Sequence, residues 1–215
     1  SQIINQYKRL GASLDYSRER FTMDDQYARA VLEAFTRLYD KGYVYRDNYL
    51  VNWDAGTMSA ISDLEVRQVE LTDELVSVAY ELADGSGEIV VATVRPETIV
   101  ADVAVAVHPD DERYRHLVGK DVRVPLTDRT VPIIADDYVK IDFGTGALKI
   151  TPGHDPNDFE IGRRHGLPEL TCINFDRTMT ELAGEFAGMG ADEARGSMVA
   201  RLEELGLVRA REPYT

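Results

Sequence analysis

Two short stretches hold the side chains best suited to chemistry. One is Gly144-Thr145-Gly146-Ala147-Leu148-Lys149-Ile150-Thr151-Pro152-Gly153-His154-Asp155-Pro156-Asn157-Asp158. The other is Thr93-Val94-Arg95-Pro96-Glu97-Thr98, a donor-rich rim at the end of an apolar run. Asp155 and Asp158, with Lys149 and Thr151, would suit a ligand that carries both an ammonium and a hydroxyl. A plainer reading is compatible with this. Asp155 precedes Pro156, so it caps a helix, and Asp158 favours the positive end of that helix's dipole. A capping aspartate is also a fixed one. For the rim, the plain reading is turn chemistry plus a surface arginine.

The positioning elements follow from local pattern. Residues 147–151 alternate as a half-buried strand does, and Pro152-Gly153 ends it. Gly144 and Gly146 imply that another group approaches the backbone closely. A helix then runs from Pro156 towards a stop at Gly166. Residues 75–82 and 88–94 alternate around Asp84-Gly85-Ser86-Gly87 and predict a hairpin, its second strand central; Pro96 ends that strand. Further strands are expected at 64–70, 103–107, 122–126, 131–135, 138–141 and 171–175, with 43–53 extended. Helices are expected at 109–117 and 191–205. Thr22 is a predicted N-cap, and Tyr27, Val31, Phe35 and Leu38 recur behind it at helical spacing as a core stripe ending at Gly42. The strands do not alternate regularly with helices, so the expected class is α+β: a closed or nearly closed β-barrel with peripheral helices. The expected division is a helical appendage over 1–52 and a barrel-like domain over 53–215.

Composition narrows the function. The chain has 215 residues, 44% of them hydrophobic, and a formal net charge of −14. That charge argues against bulk attraction to nucleic acid, leaving a local basic face or another domain to hold it. No apolar run approaches ~20 residues, so no membrane span is expected. No charged-then-apolar leader opens the chain, and its start at Ser1 suggests a piece excised from something larger. The single cysteine, Cys172, excludes an internal disulfide and a multi-cysteine zinc site, and reads as a small core residue.

The rim 93–98 and the corner 144–159, in that order, resemble the editing domain inserted in class I aminoacyl-tRNA synthetases for valine, isoleucine and leucine. His154-Asp155-Pro156-Asn157-Asp158 is most similar to the valyl form, since isoleucine enzymes usually lack an aspartate where Asp155 stands. Residues 10–22, 49–53 and 213–215 resemble the crossings between synthetic body and insertion. Asp54-Ala55-Gly56 stands where many relatives carry Cys-Pro, so no metal site is expected there. The adenylate-forming signatures are absent from this stretch.

The resemblance implies proofreading. Valine and threonine are near-isosteres, and the established figure for valyl enzymes is only about a hundredfold rejection of the added hydroxyl. A second site that hydrogen-bonds the hydroxyl would accept threonine and refuse valine, whose binding leaves each buried partner unpaired at roughly 1–3 kcal/mol. By the resemblance, Asp158 takes the α-ammonium. Asp155, Lys149 and Thr151 read the side-chain hydroxyl. Thr93, Arg95 and Thr98 hold the ester and terminal ribose, Phe143 stacks on the terminal adenine, and His154 lies beside them. No serine or cysteine nucleophile with a base is evident, so water is expected to attack the ester carbonyl directly, with positioning and electrostatics supplying most of the rate. The expected partners are the 3′ end of tRNA(Val) carrying threonine and the rest of the synthetase, for a cytoplasmic monomer without cofactor. Two alternatives stand: an isoleucyl-type editor that clears valyl-tRNA, which predicts an apolar wall at Asp155 and Lys149, and a binding module without catalysis.

Overall fold

The structure, a computed structural model, describes residues 2–215. The chain divides into two compact units, Ser1–Tyr49 and Leu50–Thr215. The first holds α1 (Gln2–Arg9) and α2 (Asp25–Asp40). Asp24, not Thr22, caps α2, accepting the Tyr27 N–H at 2.7 Å. The expected core stripe is also corrected. No residue of α2 is buried, and Tyr27, Val31 and Phe35 are 44%, 53% and 53% exposed. Helical periodicity picks out the apolar face but not what covers it.

The second unit begins with a small hairpin, β1 (Asn52–Asp54) and β2 (Ser59–Ile61), whose Trp53 indole donates to the Phe175 carbonyl at 2.8 Å. Then come β3 (Asp73–Glu81) and β4 (Glu88–Thr93), the predicted hairpin. β5 (Ala104–Val107), β6 (Asp121–Arg123), β7 (Thr130–Ala135) and β8 (Ala147–Ile150) follow. The chain finishes with α3 (Pro156–His165), α4 (Ala191–Glu204) and β9 (Val208–Tyr214). This is the α+β class expected.

Two larger sheets result, ordered β4-β3-β9 and β6-β7-β5-β8. β4 therefore lies at an edge, and β3, paired to β9 through a late long-range contact, takes the centre. Residues 64–70, 109–117, 138–141 and 171–175 form turns, short 3₁₀ segments or a single bridge instead of the expected elements.

Both sheets share one core. Val76, Val78, Tyr80 and Leu82 of the β3 run pack with Ile89 and Val91 of β4 and with Val105, Val107, Val122 and Ile133. β5 is buried on both faces: Val105 and Val107 enter that core, while Ala104 and Ala106 join Ile150 and Ile161 under α3. Complete burial of a valine side chain contributes about 1.5–3 kcal/mol, which is why an unbroken apolar strand takes the middle.

The sheets join on one side only. A bridge between Leu82 and Val122, with the Ala83 N–H on the Asp121 carbonyl at 2.8 Å, carries β3 into β6. On the other side β4 lies beside β8, but neither sheet's ladder pairs these strands. Of the two forms expected, closed or nearly closed, the barrel is thus not the closed one: it stays open at the β4–β8 seam.

Candidate functional site

A cleft of about 510 Å³ opens along that seam. The chain from Ala92 to Arg95, with Thr98, forms one wall; Phe143 to Lys149 forms the other; Thr151, His154, Asp155 and Asp158 close the end. Thr93, Arg95, Thr98, Phe143, Lys149, Thr151, His154, Asp155 and Asp158 all line it, although rim and corner lie far apart in sequence.

Glycine makes the second wall possible. Gly146 has φ +77°, and a Cβ there would stand 2.3 Å from Arg113 Nη2. That guanidinium grips Asp111 and donates to the Ile141 carbonyl at 2.8 Å, pinning the loop before β8. Gly153 turns so close to Leu170 that a Cβ would meet its carbonyl oxygen at 2.2 Å.

Asp155 is the helix cap: its Oδ1 accepts the N–H groups of Asn157 at 2.8 Å and Asp158 at 3.1 Å. Asp158, one turn inside, is 6% exposed, and its Oδ2 accepts the Thr151 N–H at 2.8 Å. Burial pushes its carboxyl up to about 6; Asp155 and Asp102 push the same way, against Lys149 and the Thr151 amide.

Lys149 and Thr151 engage a partner that sequence reasoning missed. Asp102 is fully buried. Its Oδ1 accepts the Lys149 ammonium at 3.1 Å and the Thr151 hydroxyl at 2.6 Å, and its Oδ2 accepts Tyr80 at 2.6 Å. Lys149 also donates to Thr151 Oγ1. Burial raises the Asp102 carboxyl, and these donors oppose it. Its side-chain partners all donate, so the ionised form is the one that fits. The available signal was an aspartate inside Ile99-Val100-Ala101-Asp102-Val103-Ala104, since an acid within an apolar run is buried only when paired.

The rim is stitched to the corner. Thr93 Oγ1 accepts the Arg95 N–H, and Thr98 donates to the Arg95 carbonyl. Arg95 donates to the His154 carbonyl at 2.6 Å and to Glu97 at 3.3 Å. Glu97, also missed, is buried and held on its far side by Arg195 at 2.9 and 3.1 Å. His154 Nε2 accepts the Cys172 N–H at 2.9 Å, which leaves the ring proton on Nδ1. Burial and the charges of Arg95 and Lys149 push this imidazole down to about 4, so it is neutral. Burial pushes the Cys172 thiol up to about 12, which removes it as a nucleophile. At the mouth, Phe143 is 56% exposed and meets Tyr214 edge-on, with centroids 6.4 Å apart. Among the described residues, no group of three or more His, Cys, Asp and Glu could hold a metal ion.

A family model described as tRNA synthetases class I (I, L, M and V) matches residues 1–203. A valine–tRNA ligase of Halalkalibacterium halodurans is 54% identical over 96% of the chain. One from Thermosynechococcus vestitus is 55% identical over 99%. The chain spans only 23% of the length of either relative. Among solved structures, the LeuRS of Agrobacterium radiobacter K84, in a ternary complex with tRNA and LeuAMS, aligns with 99% of the chain and 36% of its own at a TM-score of 0.54 and 19% identity. GlLeuRS-CP1 aligns over 64% of the chain and 99% of its own at 0.52 and 14%. At such identities the likeness concerns the fold alone.

Proposed function

The chain belongs to the class I tRNA synthetases of the I, L, M and V group, and from that premise we propose that its cleft edits: it hydrolyses threonine from mischarged threonyl-tRNA(Val). The carrying observation is the convergence of rim and corner on one cleft with a buried carboxylate, Asp158, at its closed end. An α-ammonium placed there would find an anion already fixed by the Thr151 amide. The same ammonium would draw the carboxyl down from about 6, so binding favours its ionised form.

Asp155, held by its capping bonds, reads the threonine hydroxyl. Lys149 supports it with the N–H that remains once Asp102 and Thr151 have taken two of its three. Thr93, Arg95 and Thr98 hold the ester and the terminal ribose, His154 keeps the corner in place through Cys172, and Phe143 takes the terminal adenine. Water attacks the ester carbonyl carbon, the bond to the ribose oxygen breaks, and that oxygen leaves with a proton. The products are threonine and tRNA. The partners are the 3′ end of the charged tRNA and the remainder of a synthetase, in the cytoplasm.

The test is deacylation of threonyl-tRNA(Val) and valyl-tRNA(Val) side by side. Faster release of threonine is the expected result. Preferential release of valine would move the site to the isoleucyl type. Binding of a non-hydrolysable threonyl-adenosine without any release from either tRNA would make it a binding module.

A further inference from the structure

We propose that Asp102 is a positioning residue that holds the Lys149 ammonium and the Thr151 hydroxyl together beneath the cleft, and so leaves Asp158 open to the ammonium of an aminoacyl ester. This deepens the editing reading and rests on it for the ligand. The geometry is a closed triangle. Lys149 donates to Asp102 Oδ1 and to Thr151 Oγ1, and Thr151 donates to the same Oδ1 at 2.6 Å. Tyr80 fixes the other oxygen at 2.6 Å. The backbone of Thr151 then holds Asp158 at 2.8 Å, so the triangle and the ligand carboxylate share one residue.

The charges explain the arrangement. Lys149 is the strongest competitor for Asp158: of everything acting on that carboxyl, it pulls hardest towards ionisation. Asp155 at the cap of the same helix and Asp102 beyond the 96–101 turn push the other way, while His154 closes the same end of the cleft and Arg95, in the adjoining wall, bonds to its carbonyl. A lysine without its own anion would turn to Asp158 and fill the place meant for a substrate. Asp102 supplies that anion from a fully buried position no ligand reaches. The pair Asp102–Lys149 is thus neutral as seen from the cleft, and Asp158 is left as the unmatched charge.

Asp102→Asn tests this by a readout that needs no reaction. The titration of the Asp158 carboxyl, followed by carbon-detected NMR in the empty protein, should move from about 6 down by about one pH unit, as an opposite charge within reach lowers a carboxyl. In deacylation of threonyl-tRNA, KM should rise about tenfold, the same unit expressed as a ratio, with kcat little changed. The double variant Asp102→Asn/Lys149→Met removes the competitor, and its Asp158 midpoint should return to about 6 or above. Asp102→Ser, which leaves room for water in place of an amide, serves if the asparagine does not fold. An unmoved or raised midpoint in the single variant would overturn the proposal; because losing the Asp102 charge itself also lowers Asp158, so would a crystal structure of Asp102→Asn in which the Lys149 ammonium has not moved into hydrogen-bond reach of the Asp158 carboxylate, whereas a salt bridge there supports it. Should the parent chain release no amino acid at all, the editing reading fails, while the titration and the crystal structure still decide the role of Asp102.

Discussion

At the closed end of the cleft, Thr151, Asp158 and Lys149 are 1%, 6% and 7% exposed, and Asp102 beneath them is 0% exposed; each side chain or its neighbouring amide is held by a hydrogen bond. At the mouth, Phe143 is 56% exposed and meets Tyr214 edge-on. In the proposed editing reaction the two regions serve one ligand under different dielectric conditions. A charge in the floor acts at several times the strength it would have in water, whereas contacts at the mouth are screened and contribute through area. The floor should therefore set what reacts, and the mouth how often it arrives.

The sharpest attempt to break this contrast is Asp158→Ala. Truncating one member of a buried charged pair costs roughly 2–5 kcal/mol, about 30- to 4,000-fold in rate. All aminoacyl esters should suffer alike, because each carries the ammonium. A loss confined to threonyl-tRNA would show that Asp158 reads the side chain instead.

Asp155 should behave differently although it sits on the same turn. Breaking its charged hydrogen bond to the hydroxyl costs roughly 1.5–3 kcal/mol, or about 10- to 150-fold, on threonyl-tRNA only. Asp155→Asn is the informative change, since asparagine caps about as well; Asp155→Ala also loses about 0.5–2 kcal/mol of stability with the cap. Equal editing by the asparagine variant and the parent, assayed by threonine release, would reduce Asp155 to its capping role.

Stability offers a third measurement, because the floor strains the fold that carries it. The folded Asp158 carboxyl titrates near 6, above the ordinary 3.8. The folded state therefore binds the proton more tightly, and stability falls as pH rises through about 4 to 6. Asp158→Asn should raise stability above pH 6 by about 3 kcal/mol, roughly 6–12 °C in Tm for a chain of this size, and by almost nothing at pH 4. Equal gains at both pH values, measured by thermal unfolding, would mean that the carboxyl is not strained by burial.

The smallest effect belongs to the mouth. Phe143→Ala should raise KM for charged tRNA about fivefold, near the ~1 kcal/mol lower bound for stacking on one base, with kcat unchanged. A fall in kcat there would erase the distinction between mouth and floor.

Local pattern carried much of this molecule. The alternation around Asp84-Gly85-Ser86-Gly87 specified the β3–β4 hairpin, Asp155-Pro156 specified the start of α3, and both chemical stretches were legible as residue types at strand ends. These features depend on neighbours a few residues apart, where periodicity and capping are decided. What the tertiary structure alone decided is of longer range. Lys149 meets Asp102 across 47 positions of sequence, and Arg195 meets Glu97 across 98. β9 displaces β4 from the centre of its sheet, and the bridge at Leu82–Val122 closes one side while β4 and β8 stay unpaired on the other. Two sheets folding over a common core settle these matters together, because each pairing gains its free energy only after the long loops between the strands have closed. The cleft is the gap that this closure leaves, and no local stretch of the sequence describes it.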